Sequence, residues 1–314
     1  MGALGCGGDK KEAGAKAEKV NVGIVQLVEH EALDAANKGF IDGLASKGYK
    51  EGQNITFDKQ NAQADQSNLQ NIAHRFVNNK VDLICAIATP AAQTVANVTS
   101  DIPIVATAVT DYKTAKLVKD DAKPGTNVTG TTDMNPVAEQ LDLLLKLVPN
   151  AKTIGTIYCS SEVNSQLQVE LLKKAAAAKG ITVKEATVST VNDIQQAARS
   201  LAGDVQAVYV PTDNVLASAI PTLISVTEEA KLPVICAEGG MVRAGGLATL
   251  GVDYYKLGFQ TGVMAADILS GKAKPADMAI QAQKEFKPTI NLKEAAKIGL
   301  KVPEDLLKGA EVIK

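Results

Sequence analysis

The middle of this chain is built twice. Apolar strands with polar ends, separated by helical stretches, recur in the same succession. They read VNVGIVQLVEH (20–30), NITFDKQNA (54–62), VDLICAIATP (81–90) and IPIVATAVTD (102–111), then TIGTIYCSS (153–161), ITVKEATV (181–188), VQAVYVPTDN (205–214) and LPVICAEGG (232–240). Equivalent strand centres lie 131 residues apart for Ile24 and Gly155, 124 for Ile84 and Val208, and 130 for Ile104 and Val234. A chain of 314 residues is too long for one small core and fits two lobes of about 130–150 residues each. Two similar lobes facing each other make a cleft, and a cleft implies a ligand.

Helical spacing fills the gaps between strands. Leu33, Ala36, Phe40 and Leu44 recur on one helix face before Gly48, and Leu69, Ile72, Ala73, Phe76 and Val77 do so before Val81. Leu167, Leu171, Leu172 and Ala175, then Ile194, Ala197, Ala198 and Leu201, repeat the pattern in the second half. Short β-branched strands alternating with helices predict an α/β fold of two doubly wound parallel-sheet lobes. VTGTTDMNP (128–136), LATLGVD (247–253) and the stretch 280–292 read as three crossings between lobes, with the helix carrying Leu257, Thr261, Met264 and Ile268 returning to the first lobe. The predicted division is an anchor and linker at 1–19, an N-terminal lobe at 20–131 plus 254–283, and a C-terminal lobe at 134–251 plus 286–314.

A net charge of −2 with only three arginines (Arg75, Arg199 and Arg243) supplies no basic field, so nucleic acid is not an expected partner. No apolar run reaches bilayer-spanning length. The first residues, MGALGCGGDKKEAGAKAEK, have a small-residue junction before Cys6 followed by a tract too polar to pack. Cys6 reads as a lipid-anchor site or as an arbitrary start; Ala3 stands where a lipoprotein box has leucine. Cys85, Cys159 and Cys236 lie inside strands, without metal-ligand spacing, and read as small buried hydrophobes.

Catalytic signatures are missing. The turn after the first strand, LVEHEALDA, lacks dinucleotide-binding glycines, and neither a phosphate loop nor a nucleophile elbow occurs. No enzyme activity, cofactor or metal is expected. Right-handed crossovers bring the strand C-termini to one edge, where ligands bind. That edge carries 29–31, 89–93 and 110–112 in the first lobe and 160–164, 212–214 and 238–240 in the second. Asp111, Asp213, Glu238 and Asp253 fall at strand ends there, with Lys113 and Arg243 the only cations in comparable places. Such carboxylates either cap helices or meet a ligand ammonium, and Asp213 is the leading candidate. Thr89, Pro90 and Ala91 open a helix, and Ser161 precedes another running from Asn164 to Lys179; free N–H groups there can hold a carboxylate. Hydroxyls and helix starts on one lobe with carboxylates largely on the other match a zwitterion. His30 sits at the cleft mouth as a turn residue or a ligand contact, and His74 reads as an exposed helix residue.

QLVEHEALDAANKGF, AIATPAAQ, AVTDYKTAKLV, TTDMNPVAEQLDLL, NAKTIGTIYCSSEVNS, YVPTDN and EGGMVRAGGLATLGVDYYKLGFQTG resemble the substrate-binding lipoproteins of a bacterial ABC transporter family linked to tryptophan, tyrosine and other aromatic amino acids. The resemblance runs from Val20 to the end. It implies a type I periplasmic-binding-protein fold, a monomer held outside the cell membrane by a lipid on Cys6, and delivery of a free amino acid, aromatic by preference, to a membrane permease. A branched-chain amino acid or other small solute is the alternative ligand, and a sensor or regulator of the same fold the alternative role. It further implies a site of His30, Thr89, Pro90, Ala91, Thr110, Ser161, Asn164, Asp213, Asn214, Glu238 and Asp253. Thr89 and Ala91 would face the ligand carboxylate, and Asp213 or Glu238 its ammonium. Tyr112 departs from the family, which commonly has proline there, and would enter the cleft or cover its rim.

Overall fold

A computed structural model describes residues 19–314. Cys6 lies outside those residues. The first sheet is entered by β1 (Val20–Gln26), β2 (Ile55–Asn61), β3 (Leu83–Ile87), β4 (Ile104–Val109) and β5 (Val128–Thr132). Between them run α1 (Glu31–Ser46), α2 (Gln66–Asn78) and α3 (Thr89–Val98). Every residue of β3 and β4 is buried, as parallel strands covered on both faces require. The second sheet repeats the plan with β6 (Thr153–Cys159), β7 (Thr182–Val188), β8 (Ala207–Val210), β9 (Val234–Cys236) and β10 (Ala248–Gly251). Its helices are α4 (Val137–Leu147), α5 (Val163–Ala178), α6 (Ile194–Ala202), α7 (Asn214–Ser218), α8 (Ile220–Glu229) and α9 (Gly239–Arg243). The chain then closes with α10 (Tyr254–Leu269), β11 (Gln281–Ala282), β12 (Lys287–Asn291), α11 (Leu292–Ile298) and β13 (Glu311–Ile313).

The two sheets share one strand order, β2-β1-β3-β4-β5 and β7-β6-β8-β9-β10, which is the doubled pattern of the sequence in three dimensions. β11 extends the first sheet in parallel beside β5, whereas β12 adds to β10 antiparallel and carries β13. The parallel lobes predicted are present, and β12 adds an antiparallel edge because the last crossing enters the second lobe at the end where β10 leaves it. Side chains alternate across the second sheet: Val208 and Val210 belong to one apolar cluster, Ala207 and Tyr209 to the other.

The chain passes between the sheets at 133–136, 252–253 and 283–286. The last two passages are stitched together, since Gln283 accepts from Asp253 N–H at 2.9 Å and donates to Asp253 O at 2.5 Å. The first lands on Gln140, whose amide donates to Ala237 O and Leu250 O at 3.0 and 2.8 Å and accepts from Tyr209 at 2.7 Å.

Helix α10 belongs to the first lobe and lies parallel to α1 at unusually close range. A Cβ on Gly258 would sit 1.9 Å from Ala36 O, and one on Gly43 would sit 2.2 Å from Phe259 O. Only hydrogen fits at these crossings, so the two backbones touch. Because the helices are parallel, both N-termini emerge together at the cleft edge, placing His30 and Glu31 beside Asp253 and Tyr254. Gly258→Ala is expected to destabilise the first lobe by about 1–3 kcal/mol through overpacking. Scanning calorimetry should show this as a fall of roughly 2–4 °C in melting temperature per kcal/mol; an unchanged melting temperature would refute the close packing.

Candidate functional site

The strand C-termini of the two sheets face each other and the lobes are closed together. Thr110 Oγ1 lies 3.3 Å from Thr212 Oγ1, and His30 Nε2 lies 3.3 Å from Asn214 Oδ1. Val163 of the second lobe packs on the first-lobe core, and Arg243 of α9 pairs with Glu31 of α1. Between these contacts is a narrow chamber, nearly closed off by the approach of the lobes. His30, Leu33, Ala108, Thr110 and Tyr254 line it from the first lobe, and Asn164, Thr212, Asp213, Asn214, Glu238 and Met241 from the second, with Asp133 of the first crossing.

Four buried carboxyl groups surround this space. Asp213 caps α7, accepting from Leu216 N–H at 2.9 Å, and also takes Cys159 N–H at 2.6 Å and the Ser165 hydroxyl at 2.8 Å. Glu238 caps α9 by accepting from Gly240 and Met241 N–H at 2.5 and 2.7 Å. Asp133 accepts from Thr110 at 2.9 Å and from Tyr254 at 2.6 Å. Glu162, directly behind the wall, accepts from Asn214 N–H and from the amides of Asn164 and Asn214.

Burial raises the pKa of all four. Desolvation and then the Asp213 charge push Glu162 up to about 8, desolvation pushes Glu238 to about 7, and Asp133 and Asp213 rise for the same first reason. Desolvation lowers His30, partly offset by its Asn214 bond, so its imidazole stays neutral near pH 7. Among the described residues no lysine or arginine lines the chamber. Arg243 stays on the hinge-side rim, where it also pairs with Glu311.

The first-lobe side offers donors. Ala88, the residue before α3, has φ 89°, a left-handed conformation costly outside glycine, and Ala108 has φ 55° beside a register shift in β4. Neither side chain caps a helix. Thr89 is buried and its hydroxyl has no partner. The N–H groups of Thr89 and Ala91 precede the first hydrogen bond of α3, from Ala92 N–H to Ala88 O, and are free by the geometry of a helix start.

The residues singled out in the sequence therefore divide. His30, Thr110, Asn164, Asp213, Asn214 and Glu238 line the chamber; Thr89 and Ala91 are buried in the first turn of α3. Pro90 and Ser161 line an outer trough of the cleft with Glu162, and Asp253 lines a hinge-side trough with Glu31 and Arg243. Asp111 is drawn into a turn, accepting from Thr114 N–H at 2.7 Å, and does not join the chamber. Tyr112 neither enters the cleft nor covers its rim. It turns into the first-lobe core, donating to Ala106 O at 2.8 Å and Thr131 O at 3.0 Å, where Gly130 leaves room for its hydroxyl. Asp133, Glu162 and Tyr254 were missed. An acidic residue just after a strand end, in TTD and SSE, was the available signal for the first two.

Two like lobes closed over a polar chamber, with three passages behind it that can bend, define a type I solute-binding protein. The family model described as ABC transporter substrate binding protein matches residues 21–314. A tyrosine-binding protein of Clostridioides difficile is 48% identical over 265 residues, covering 84% of this chain and 76% of its own. A Streptococcus pneumoniae domain solved in complex with L-Trp superposes with a TM-score of 0.91 at 41% identity, covering 95% of this chain and all of that one. A ligand-free, open substrate-binding protein from Clostridium difficile, 44% identical and covering 94% and 99%, gives only 0.72, in keeping with a closed arrangement here. The chain belongs to the ABC transporter substrate-binding protein family. It is the extracytoplasmic, solute-binding component of such a transporter.

The raised carboxyl pKa values make closure without ligand proton-dependent. The closed form holds protons that the open, hydrated form releases, so acid favours closure. The effect is complete below the ordinary carboxyl range and is lost as pH rises through about 7 and 8, the values of Glu238 and Glu162. Small-angle scattering of ligand-free protein should give a larger radius of gyration at pH 8.5 than at pH 5.5, and Glu162→Gln should shrink the difference. Equal radii at both pH values would contradict this account.

Proposed function

We propose that this protein captures a free L-amino acid with an aromatic side chain, closes its lobes over it and delivers it to an ABC permease. The observation that carries the reading is a chamber lined by buried carboxyls and, among the described residues, by no lysine or arginine, while on the first lobe the start of α3 holds a buried hydroxyl without a partner. An amino-acid zwitterion supplies both missing partners. Its carboxylate suits Thr89 and the free N–H groups of α3, which hold an anion without an arginine.

Its ammonium suits Glu238 and Asp133. A carboxylate offers about four acceptor sites. Glu162 has filled its own with Asn164, Asn214 and Val215, and Asp213 has three donors, whereas Glu238 and Asp133 have two each. Asp213, the leading candidate by sequence, shapes the wall. The named ligands of the relatives, tyrosine and L-Trp, support an aromatic side chain. The small-residue junction at Cys6 supports a lipid anchor that holds the protein to the extracytoplasmic face of the cell membrane.

Calorimetric titration with tryptophan, tyrosine, phenylalanine and leucine tests the reading. Binding of an aromatic member with a ligand-dependent rise in melting temperature is expected, about 2.7 kcal/mol of stabilisation at a hundredfold excess over Kd. No heat with any of them would defeat it. Because an ammonium favours the ionised form of the carboxyls it meets, binding to protonated, ligand-free protein should release protons and tighten as pH rises from 5.5 through about 7, the raised value of Glu238 in the closed form. Heats measured in two buffers of different ionisation enthalpy check this; identical heats would show that no proton leaves.

A further inference from the structure

The second-lobe wall of the chamber has one acceptor that the protein leaves unused. Asn164, only 5% exposed, is the second residue of α5. Its Nδ2 donates to Thr212 O at 2.8 Å and to Glu162 Oε2 at 2.9 Å. A backbone carbonyl can only accept, so Thr212 fixes which end of the amide carries nitrogen. Oδ1 is left with no partner although it is buried. Buried acceptors without donors are uncommon and cost stability, and this one belongs to a residue of the chamber wall.

Its neighbours cannot turn to serve it. Asn214 Nδ2 donates to Glu162 Oε2 at 2.6 Å, which leaves Asn214 Oδ1 to accept from His30 Nε2. That bond requires the Nε2–H tautomer of a neutral imidazole. The Ser165 hydroxyl is committed to Asp213, and Gln168 Oε1 clamps Thr212 N–H at 2.8 Å, so the frame around Asn164 is rigid. The chamber that Asn164 lines is the side from which a donor can reach it.

We infer that Asn164 reads a hydrogen-bond donor on the ligand side chain, an indole N–H or a phenol O–H, and that it selects tryptophan and tyrosine against phenylalanine. This rests on the amino-acid reading above, in which Glu238 and Asp133 already occupy the ammonium. A site built to pair a ligand donor rejects the analogue that lacks it, because the buried acceptor is then stranded.

The test is a calorimetric series of tyrosine, O-methyltyrosine, tryptophan, 1-methyltryptophan and phenylalanine on the full protein and on Asn164→Leu. The unmodified protein should bind tyrosine or tryptophan at least about 100-fold more tightly than phenylalanine, and methylation of the donor should cost about as much. Asn164→Leu should weaken the donor-bearing ligands by about 10- to 100-fold and leave phenylalanine within about threefold. Phenylalanine or the methylated ligands binding as tightly as their parents would overturn the inference on the unmodified protein alone, whether or not the variant folds. An equal loss for all five ligands in the variant would also overturn it, placing Asn164 at the ammonium or in a supporting role. Those outcomes leave the amino-acid reading standing; binding of none of the five would remove both.

Discussion

Carboxyl groups packed where two lobes meet, with no lysine or arginine among the described residues of the chamber walls, dominate the electrostatics of the cleft. Desolvating a carboxylate is costly unless an opposite charge or donors replace its water. Here the second lobe supplies donors from helix starts and side-chain amides, enough to hold the groups in place but not enough to keep them at ordinary pKa values. The closed state is thus electrostatically incomplete. In the proposed reading, a ligand that brings one positive group to the acidic side and one negative group to the start of α3 completes it, and differential interaction with the two states would tie closure to ligand identity.

The frame that makes this possible is stiff where it must be. The glycine contacts of α1 with α10 fix two helix starts side by side at the edge of the first lobe. Gln283 binds two of the passages between lobes into one ribbon, and Gln140 anchors the third. The passages between the sheets at 133–136, 252–253 and 283–286 are only two to four residues long, the arrangement that hinge bending between rigid bodies uses. The Glu31 pair with Arg243 adds a polar tie at the rim, partly exposed and so of modest strength.

Much of this was legible in the sequence because it follows from period and order. The doubled strand pattern gave the two sheets, and strand ends gave the edge where His30, Thr110, Asn164, Asp213, Asn214 and Glu238 converge. What was not legible depends on where a side chain turns. Asp111 and Asp213 look alike in the sequence, each just past a strand end, of β4 and of β8, yet one closes a surface turn while the other is buried by α5 and α7. Tyr112 looked like a cleft residue, but Gly130 opens space beneath it and the core takes the ring. Asp133 and Glu162 sit one and three residues beyond strand ends, and only the packing of Tyr254, Asn164 and Asn214 around them shows that they face inward. The antiparallel β12 could not be read either, since its direction is set by the last passage and not by its own residues.

The most direct measurement is a crystal structure of the complex with tyrosine or tryptophan at a resolution that separates the ligand's nitrogen from its carboxylate. The account predicts the ammonium within hydrogen-bond distance, about 2.7–3.2 Å, of Glu238 and Asp133, with the carboxylate at Thr89 and the α3 start. An ammonium held only by carbonyl oxygens or water, with both carboxyls still bonded solely to the protein, would contradict it.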